Sequence, residues 1–153
     1  MKFAIISDTH DNWANFEKAI NWLNKEDIKL VLHCGDIQSQ EIIDSANKLF
    51  KGEIKYAKGN GDFDLQNIKW VEELKLEKLK VAFMHFPDNA KKLAQSGEFD
   101  LVFYGHTHRP WEEKIDKCRM INPGELAGQF YKPTFAIYDT VTENLELKLL
   151  EKL

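Results

Sequence analysis

Residues 3–10 have the sequence FAIISDTH, a short apolar run that ends in an aspartate and a histidine. A brief, continuous apolar run of this kind is typical of a strand buried on both faces. Four later apolar runs also end in polar, metal-binding side chains: LVLHCGD at 30–36, IKYAKGNGD at 54–62, VAFMH at 81–85 and LVFYGHTH at 101–108. Amphipathic stretches separate most of these runs. Strands and helices therefore alternate through the first two-thirds of the chain, which predicts a mainly parallel sheet.

The pattern predicts a definite set of elements. The strands are expected at residues 3–6, 30–32, 54–57, 81–84, 101–104, 115–121, 134–138 and 145–149. Helices are expected at about 13–23, 41–49 and 88–94. The last three strands have no helices between them, and Leu145, Leu147 and Leu149 repeat with a period of two. We therefore expect the strand-rich end to form a second, mixed sheet packed on the first, giving a layered α/β sandwich in one domain over residues 1–153.

Bulk composition limits the class of protein. With 43% hydrophobic and 30% charged residues, the chain has the composition of a folded globular protein. A net charge of −4 argues against strong nucleic-acid binding, which needs basic surface. Cys34 and Cys118 form no CxxC pair, which favours a reduced, cytoplasmic setting, although one disulfide between them stays open. The apolar runs are too short for a membrane span or a targeting segment, so no membrane partner is expected. Assembly into a homo-oligomer is left open.

Seven side chains at the predicted strand ends are candidate metal ligands. In open α/β sheets, ligands bind outside the carboxyl ends of the strands. The candidates are Asp8, His10, Asp36, Asn60, His85, His106 and His108. Their nitrogen and oxygen donors suit manganese, iron, nickel or zinc better than a cysteine-based structural zinc site. Seven ligands exceed the needs of one ion, whereas two ions that share one carboxylate would use all of them.

Each of these residues also has a structural interpretation when it is taken alone. A single histidine such as His85 is more often a core residue, and Asn60 between two glycines is more often a turn residue. Asp62 is expected to cap a turn, and His33 to support the site or the core. Arg109 follows His108 and either binds phosphate or is a solvated loop charge. The joint arrangement, in order and at strand ends, is what favours the metal-binding interpretation.

The motifs DTH, GD, GNGD, a lone histidine after a strand and GHTH together resemble those of the calcineurin-like metallophosphoesterases. The similarity is greatest to the small, cap-less bacterial and archaeal phosphodiesterase branch, and the NPG at 122–124 extends it across nearly the whole chain. The resemblance implies a sandwich of two mixed sheets flanked by helices and a metal-dependent phosphohydrolase with a small phosphoester substrate. Two divalent ions are implied, with manganese the expected metal and nickel, iron or zinc as alternatives.

The resemblance also implies roles for individual residues. One ion would be held by Asp8, His10, Asp36 and His108, and the second by Asp36, Asn60, His85 and His106, with Asp36 bridging. A hydroxide bridging the ions would then attack phosphorus, so that no side-chain nucleophile is required. Asn60 and Arg109 are the residues expected near the substrate phosphate.

The chain departs from the family pattern at three positions beside the site. Gly61 stands where many members have a histidine that assists the leaving group, Phe86 follows His85 where Gly-His is frequent, and Glu125 replaces a common serine. Without a histidine at 61 or a basic cluster, we expect phosphodiesters to be preferred over dianionic monoesters. The alternative hypothesis is a non-catalytic scaffold of the same fold, as in one retromer subunit, although all seven ligand positions are filled here. A zinc amidohydrolase barrel is excluded by the length of the chain.

Overall fold

The computed structural model describes residues 1–153, which form ten strands and three α-helices. The strands are β1 (Lys2–Ile6), β2 (Leu30–His33), β3 (Glu53–Tyr56), β4 (Val71–Leu76), β5 (Leu79–Met84), β6 (Leu101–Phe103), β7 (Trp111–Ile115), β8 (Cys118–Asn122), β9 (Thr134–Asp139) and β10 (Leu145–Leu149). The helices are α1 (Trp13–Lys25), α2 (Gln40–Leu49) and α3 (Pro87–Gln95).

The strands form two five-stranded sheets. The first has the order β10-β9-β1-β2-β3, and the second the order β4-β5-β6-β8-β7. In the first sheet, β1, β2 and β3 are parallel, whereas β9 and β10 are antiparallel to their neighbours. In the second sheet, β5, β6 and β8 are parallel, and the edge strands β4 and β7 are antiparallel. The predicted sandwich of two mixed sheets is therefore confirmed.

The distribution of strands between the sheets differs from the prediction. The strands β9 and β10 return to the first sheet, where residues of β9 pair with β1, for example Ala136 with Ile5. The second sheet begins earlier, at β4, which the sequence analysis missed because its residues are mostly half-exposed and carry three charges, Glu72, Glu73 and Lys75. The single strand predicted at 115–121 is wrong. The chain reverses at Asp116, whose φ is +51°, so that β7 and β8 form a hairpin.

Successive side chains of the central strands face opposite sides of the sheet, and this alternation divides the core into layers. Phe3 and Ile5 of β1 face the second sheet, where they belong to one apolar cluster with Phe83 and Phe103. Burial of each such side chain contributes about 1.5–3 kcal/mol, so this layer holds the two sheets face to face. The residues between them in sequence, such as Ala4, face the opposite way and pack under α1 and α2. Helix α3 covers the outer face of the second sheet.

Side-chain caps determine where the first two helices begin. The Asn12 side chain accepts a hydrogen bond from Asn15 N at the start of α1, and Ser39 accepts one from Ile42 N at the start of α2. Such caps satisfy backbone N–H groups that have no partner within the helix. Each of these helices therefore starts a few residues after a strand, and the two short loops carry Asp8, His10 and Asp36. None of the helices has the length and apolar character needed to cross a membrane.

Candidate metal centre

The carboxyl ends of strands from both sheets meet at one edge of the sandwich, and the structure brings all seven candidate ligands together there. We call Asp8, His10 and His108 the Asp8 group. The Oδ1 atom of Asp8 lies 3.4 Å from His10 Nε2 and 3.2 Å from His108 Nε2. The two imidazole Nε2 atoms are themselves 3.2 Å apart. Three donor atoms therefore converge on one small volume, with Asp8 fully buried and His108 8% exposed.

A second set of ligands lies beside the first. We call Asn60, His85 and His106 the Asn60 group. His106 Nδ1 is 3.1 Å from Asn60 Oδ1 and 3.2 Å from His85 Nε2. Asp36 lies between the groups, with its Oδ2 atom 3.5 Å from His10 Nε2 and 3.4 Å from His85 Nε2. A carboxylate in this position is suited to serve both groups at once.

Two observations indicate that the donor atoms can hold metal ions. Zinc and similar ions bind nitrogen and oxygen ligands at about 2.0–2.2 Å, which places neighbouring ligand atoms on one ion about 3 Å apart. Most of the separations above match that spacing. In addition, Asp8 Oδ1 is the one buried side-chain polar atom that has no hydrogen-bond partner, a costly state unless a cation faces it. The set therefore fits divalent ions.

The charges of the site are strongly coupled. Burial on its own would raise the pKa of Asp8, but His10 and His108 hold that pKa well below its usual range. The facing Asp8 carboxylate, with help from Glu125, raises the pKa of His108 to about 9 against the effect of burial. For His85, burial works against protonation, yet Asp36 and Asp8 raise its pKa. These carboxylates thus create a potential that attracts positive charge, which protons or metal ions satisfy.

Five of the seven candidate ligands have a left-handed backbone conformation, which non-glycine residues rarely adopt. They are Asp8 (φ +53°), His10 (+44°), Asp36 (+58°), His106 (+70°) and His108 (+62°). Each such residue costs on the order of 1–3 kcal/mol and persists only where surrounding contacts hold it. The Asp8 and His10 backbone amides donate to Gly35 O and Asp36 O, which joins the first two ligand loops. The strain is therefore concentrated at the candidate site.

Asp62 holds two ligand loops together. Its carboxylate accepts hydrogen bonds from Asp36 N, Gly59 N, Ile37 N and Gln38 N at 2.7–2.8 Å. The sequence analysis expected a turn cap, and Asp62 does cap its own turn at Gly59, but three of the four bonds cross to the Asp36 loop. The approach is so close that a Cβ atom on Gly59 would lie 2.2 Å from Asp36 Oδ1, so no other residue fits at position 59.

His33 has the supporting role that was expected of it. Its Nδ1 accepts a hydrogen bond from Gly35 N at 3.2 Å, so the proton is on Nε2, which donates to Thr9 Oγ1 at 2.7 Å. Complete burial lowers its pKa to about 3, which keeps the ring neutral. His33 thereby links the loop of Asp8 and His10 to the loop of Asp36.

Two further residues orient candidate ligands, and the sequence analysis did not identify either in this role. Glu125 is fully buried, with Oε2 hydrogen-bonded to His108 Nδ1 and Oε1 accepting from Phe130 N and Tyr131 N at 2.6 Å. The amide of Gln38 lies 2.8 Å from His10 Nδ1. Both contacts point the Nε2 atom of the histidine toward the centre. Glu125 accepts from Nδ1 and leaves the Nε2 lone pair of neutral His108 free, whereas the Gln38 NH₂ group donates to His10 Nδ1. His10 therefore binds metal through Nε2 when the Gln38 amide turns its oxygen toward Nδ1. The only signal for Glu125 in the sequence was an acidic residue directly after Asn-Pro-Gly, and the sequence held no signal for Gln38.

Two positions beside the centre bear on substrate binding. The Gln38 side chain fills the space next to Gly61, since a Cβ at position 61 would lie 3.2 Å from Gln38 Cγ and Nε2. Arg109 is exposed, and its guanidinium lies over the Trp111 ring at 4.9 Å. The guanidinium makes no hydrogen bond or ion pair with the candidate ligands, so its contact with phosphate stays a prediction.

Comparison with known proteins gives this geometry a context. Residues 1–143 match the model of the calcineurin-like phosphoesterase superfamily domain. A phosphodiesterase of Methanocaldococcus jannaschii is 33% identical over 167 aligned residues, which cover 99% of this chain and 100% of that protein. A probable metallophosphoesterase of the same organism is 34% identical, with 98% of this chain and 81% of that protein covered.

Solved structures agree with the sequence matches. The structure of an archaeal phosphodiesterase superposes with a TM-score of 0.88 at 31% identity, covering 97% of this chain and 99% of that one. A single mutant of Vps29 from Entamoeba histolytica superposes with a TM-score of 0.76 at 20% identity, covering 97% of each chain. At that level of identity the second match shows a shared fold alone.

Proposed function

The chain belongs to the calcineurin-like phosphoesterase superfamily and is a metal-dependent phosphoesterase, and from that premise we propose that it is a phosphodiesterase with a two-metal centre. The observation that carries the proposal is the position of Asp36 between two complete groups of donor atoms. One ion would be held by the Asp8 group with Asp36, and the other by the Asn60 group with Asp36. Manganese suits these mixed nitrogen and oxygen donors, as do nickel, iron and zinc.

When bound, two such ions supply an activated water nucleophile and neutralise negative charge on the phosphate. The chain orients the donors for this chemistry. The Cys34 carbonyl accepts from His85 Nδ1 at 2.9 Å, and Glu125 accepts from His108 Nδ1, so each ring keeps its Nδ1 proton and, once the second proton is lost on metal binding, presents the Nε2 lone pair to the centre. Fixing the tautomer in this way raises the basicity of a histidine ligand and holds its ring in place.

The exposed side of the centre is the side open to substrate. Asn60 and His106 are exposed, whereas Asp8, Asp36 and His85 are buried. The Asn60 amide presents its oxygen to His106, which leaves its NH₂ group as a donor to a phosphate oxygen. At Gly61 no side chain is present to protonate a leaving group, so good leaving groups are favoured.

Diesters are the favoured substrates for an electrostatic reason. A monoester dianion needs more cationic partners than a diester monoanion, and the guanidinium nearest in sequence to the ligands, that of Arg109, is engaged with Trp111. The relatives named above as phosphodiesterases support the same choice. The free, buried thiols of Cys34 and Cys118 support a reducing, cytoplasmic setting.

Metal analysis and a substrate panel test the proposal together. Crystals grown with Mn²⁺ should show two ions roughly 3.5–4 Å apart, bridged by Asp36. The protein should cleave bis(4-nitrophenyl) phosphate faster than 4-nitrophenyl phosphate. A single bound ion would contradict the two-metal centre. A metal-loaded protein that cleaves no phosphoester would instead favour a scaffold, the role that the shared fold with Vps29 leaves as the alternative.

A further inference from the structure

Exposed aromatic side chains lie directly against the candidate ligands. Phe130 is 76% exposed, and its ring centroid is 5.1 Å from that of His108. Phe86 is half-buried, with its ring 5.2 Å from the rings of both His85 and His106. Trp70 is 51% exposed and lies 6.2 Å from Phe86, with the two rings inclined by only 33°. These aromatic rings therefore pack on the centre and leave much of their surface open to solvent.

The rings form two clusters, one at each end of the centre. Phe130 alone makes up the first cluster, and the Phe86–Trp70 pair makes up the second. Phe130 contacts the Asp8 group, whereas Phe86 and Trp70 continue outward from the Asn60 group. The backbone that carries Phe130 is held in place, because Glu125 accepts hydrogen bonds from the backbone amides of Phe130 and Tyr131. Leaving large aromatic surface in water forgoes the stabilisation that burial gives. An exposed ring beside a reaction centre is well placed to bind a flat group of the substrate.

We propose that the substrate is a small phosphodiester with a flat aromatic group on each side of the phosphate, of the dinucleoside phosphate class. The proposal rests on the phosphodiesterase function proposed above and names its substrate class. With the phosphate between the two groups of ligands, one flat group stacks on Phe130 and the other on the Phe86–Trp70 pair. Stacking on aromatic side chains tolerates any base, because every base has a π-face.

The charge of the chain limits the size of this substrate. A net charge of −4 does not provide the basic track that a long nucleic acid needs. One cation lies beside the second cluster: Lys58, whose Nζ is 5.5 Å from the Trp70 ring. A single lysine is enough for a substrate that has one bridging phosphate, or that has a second phosphate at one of its ends. A dinucleotide is therefore favoured over a polymer.

Two esters with the same leaving group test the proposal. Bis(4-nitrophenyl) phosphate has a ring on both sides of the phosphate, and ethyl 4-nitrophenyl phosphate has a ring only on the leaving group. Each is assayed with the metal-loaded wild type, Phe130→Leu and Trp70→Leu. Val141→Ala is the surface control, since Val141 is 77% exposed and follows β9 at the end of the sandwich away from the centre.

Each variant should lower kcat/KM for the two-ring ester by about tenfold, mainly through KM. For the one-ring ester only one variant should show this loss, because the leaving group occupies one cluster and the ethyl group does not stack on the other. The control should match the wild type on both esters.

Equal losses on both esters for both variants would overturn the proposal, since they would indicate a general effect on the centre. Unchanged kinetics for both variants would also overturn it, since the exposed rings would then have no part in binding the substrate. Failure of the proposed function is a separate result, in which the wild type cleaves neither ester.

Discussion

The two groups of ligands differ in how firmly the chain holds them. In the Asp8 group every member is buried or nearly so, and neighbouring side chains fix the rings: Glu125 on His108 and Gln38 on His10. In the Asn60 group only His85 is buried and braced, by the Cys34 carbonyl. Asn60 and His106 are exposed and contact each other, and no side chain outside the group hydrogen-bonds to the side chain of either. The first group is therefore preorganised by the fold, and the second depends on its own members.

This difference assigns different tasks to the two ends of the centre. A preorganised site binds its ion tightly, since little ordering remains to be done when the ion arrives. A more exposed site binds its ion more weakly and exchanges it more readily, and it gives substrate an approach. Five substitutions test this comparison, from the largest expected effect to the smallest.

Asp36→Asn should affect both ends at once, because Asp36 is the residue they share. Loss of its charge should reduce kcat for a diester by at least about 10³-fold at saturating Mn²⁺. The matched control is Asp116→Asn, which changes an aspartate with a similar φ of +51° in the β7–β8 turn. Near wild-type turnover with metal bound would mean that Asp36 does not bridge the ions.

Gly61→His tests the boundary between the groups, where no side chain is available to act as an acid. A positioned acid is worth about 10²–10⁴-fold, so the wild type should cleave aryl diesters much faster than alkyl diesters. The substitution should raise the rate on alkyl diesters by up to about 10²-fold, provided that Gln38 moves aside from the new Cβ. Gly61→Ala, which adds the Cβ without the ring, is the control. A flat dependence of the wild-type rate on leaving-group pKa, with chemistry rate-limiting, would show that another acid is already present.

Glu125→Gln should weaken the Asp8 group alone. The amide oxygen is retained by the Phe130 and Tyr131 amides, so the NH₂ group faces His108 Nδ1 and forces the proton onto Nε2, which then no longer binds metal. We expect a loss of about 10–100-fold in affinity for one of the two ions, measured by metal titration. Glu113→Gln on the exposed strand β7 is the control. Equal weakening of both ions would remove the distinction between the groups.

Asn60→Ala should weaken the other ion, and by less. Asn60 is a neutral, exposed ligand without bracing, and its loss should cost roughly tenfold in affinity for the weaker ion. The tighter ion should be unaffected in the same titration. Asn89→Ala, an exposed change on α3, is the control. Loss of the tighter ion would reverse the proposed order of the two groups.

His33→Ala should have the smallest effect on turnover. The ring is fully buried and joins the Asp8 and Asp36 loops without facing the centre, so the main consequence is a loss of about 2–4 kcal/mol in the free energy of unfolding. Urea unfolding measures this loss, and kcat at a temperature where the variant is folded should change only a few-fold. A collapse of kcat with stability intact would place His33 in the reaction.

The candidate ligands could be predicted because their signal is local. An apolar run such as FAII predicts a strand, and the residues after it, Asp8 and His10, follow directly in the sequence. The five runs and their endings were enough to predict the ligand set, the fold class and the family. The helices agreed to within about two residues at most ends, since caps such as Ser39 are also local signals.

Side chains that orient the ligands could not be predicted in the same way. Glu125 follows His108 by 17 positions and Gln38 follows His10 by 28, and no local pattern pairs such residues. The assignment of strands to the two sheets could not be predicted for the same reason, because it depends on residues that are distant in the sequence. Strand β9 pairs with β1 across more than a hundred residues, and an alternating strand fits equally well at the edge of either sheet.

The sequence by itself thus determined which residues bear the candidate metal-binding donors and to which family the chain belongs, because strand ends and their polar residues are contiguous. Only the tertiary structure decided that these donors come from two facing sheets rather than from a single sheet. It also decided that five of them adopt a left-handed backbone and that one end of the centre is braced and the other open. The physical reason is that backbone strain and long-range hydrogen bonds are stabilised by contacts made after the sheets pack, and a linear pattern does not record those contacts.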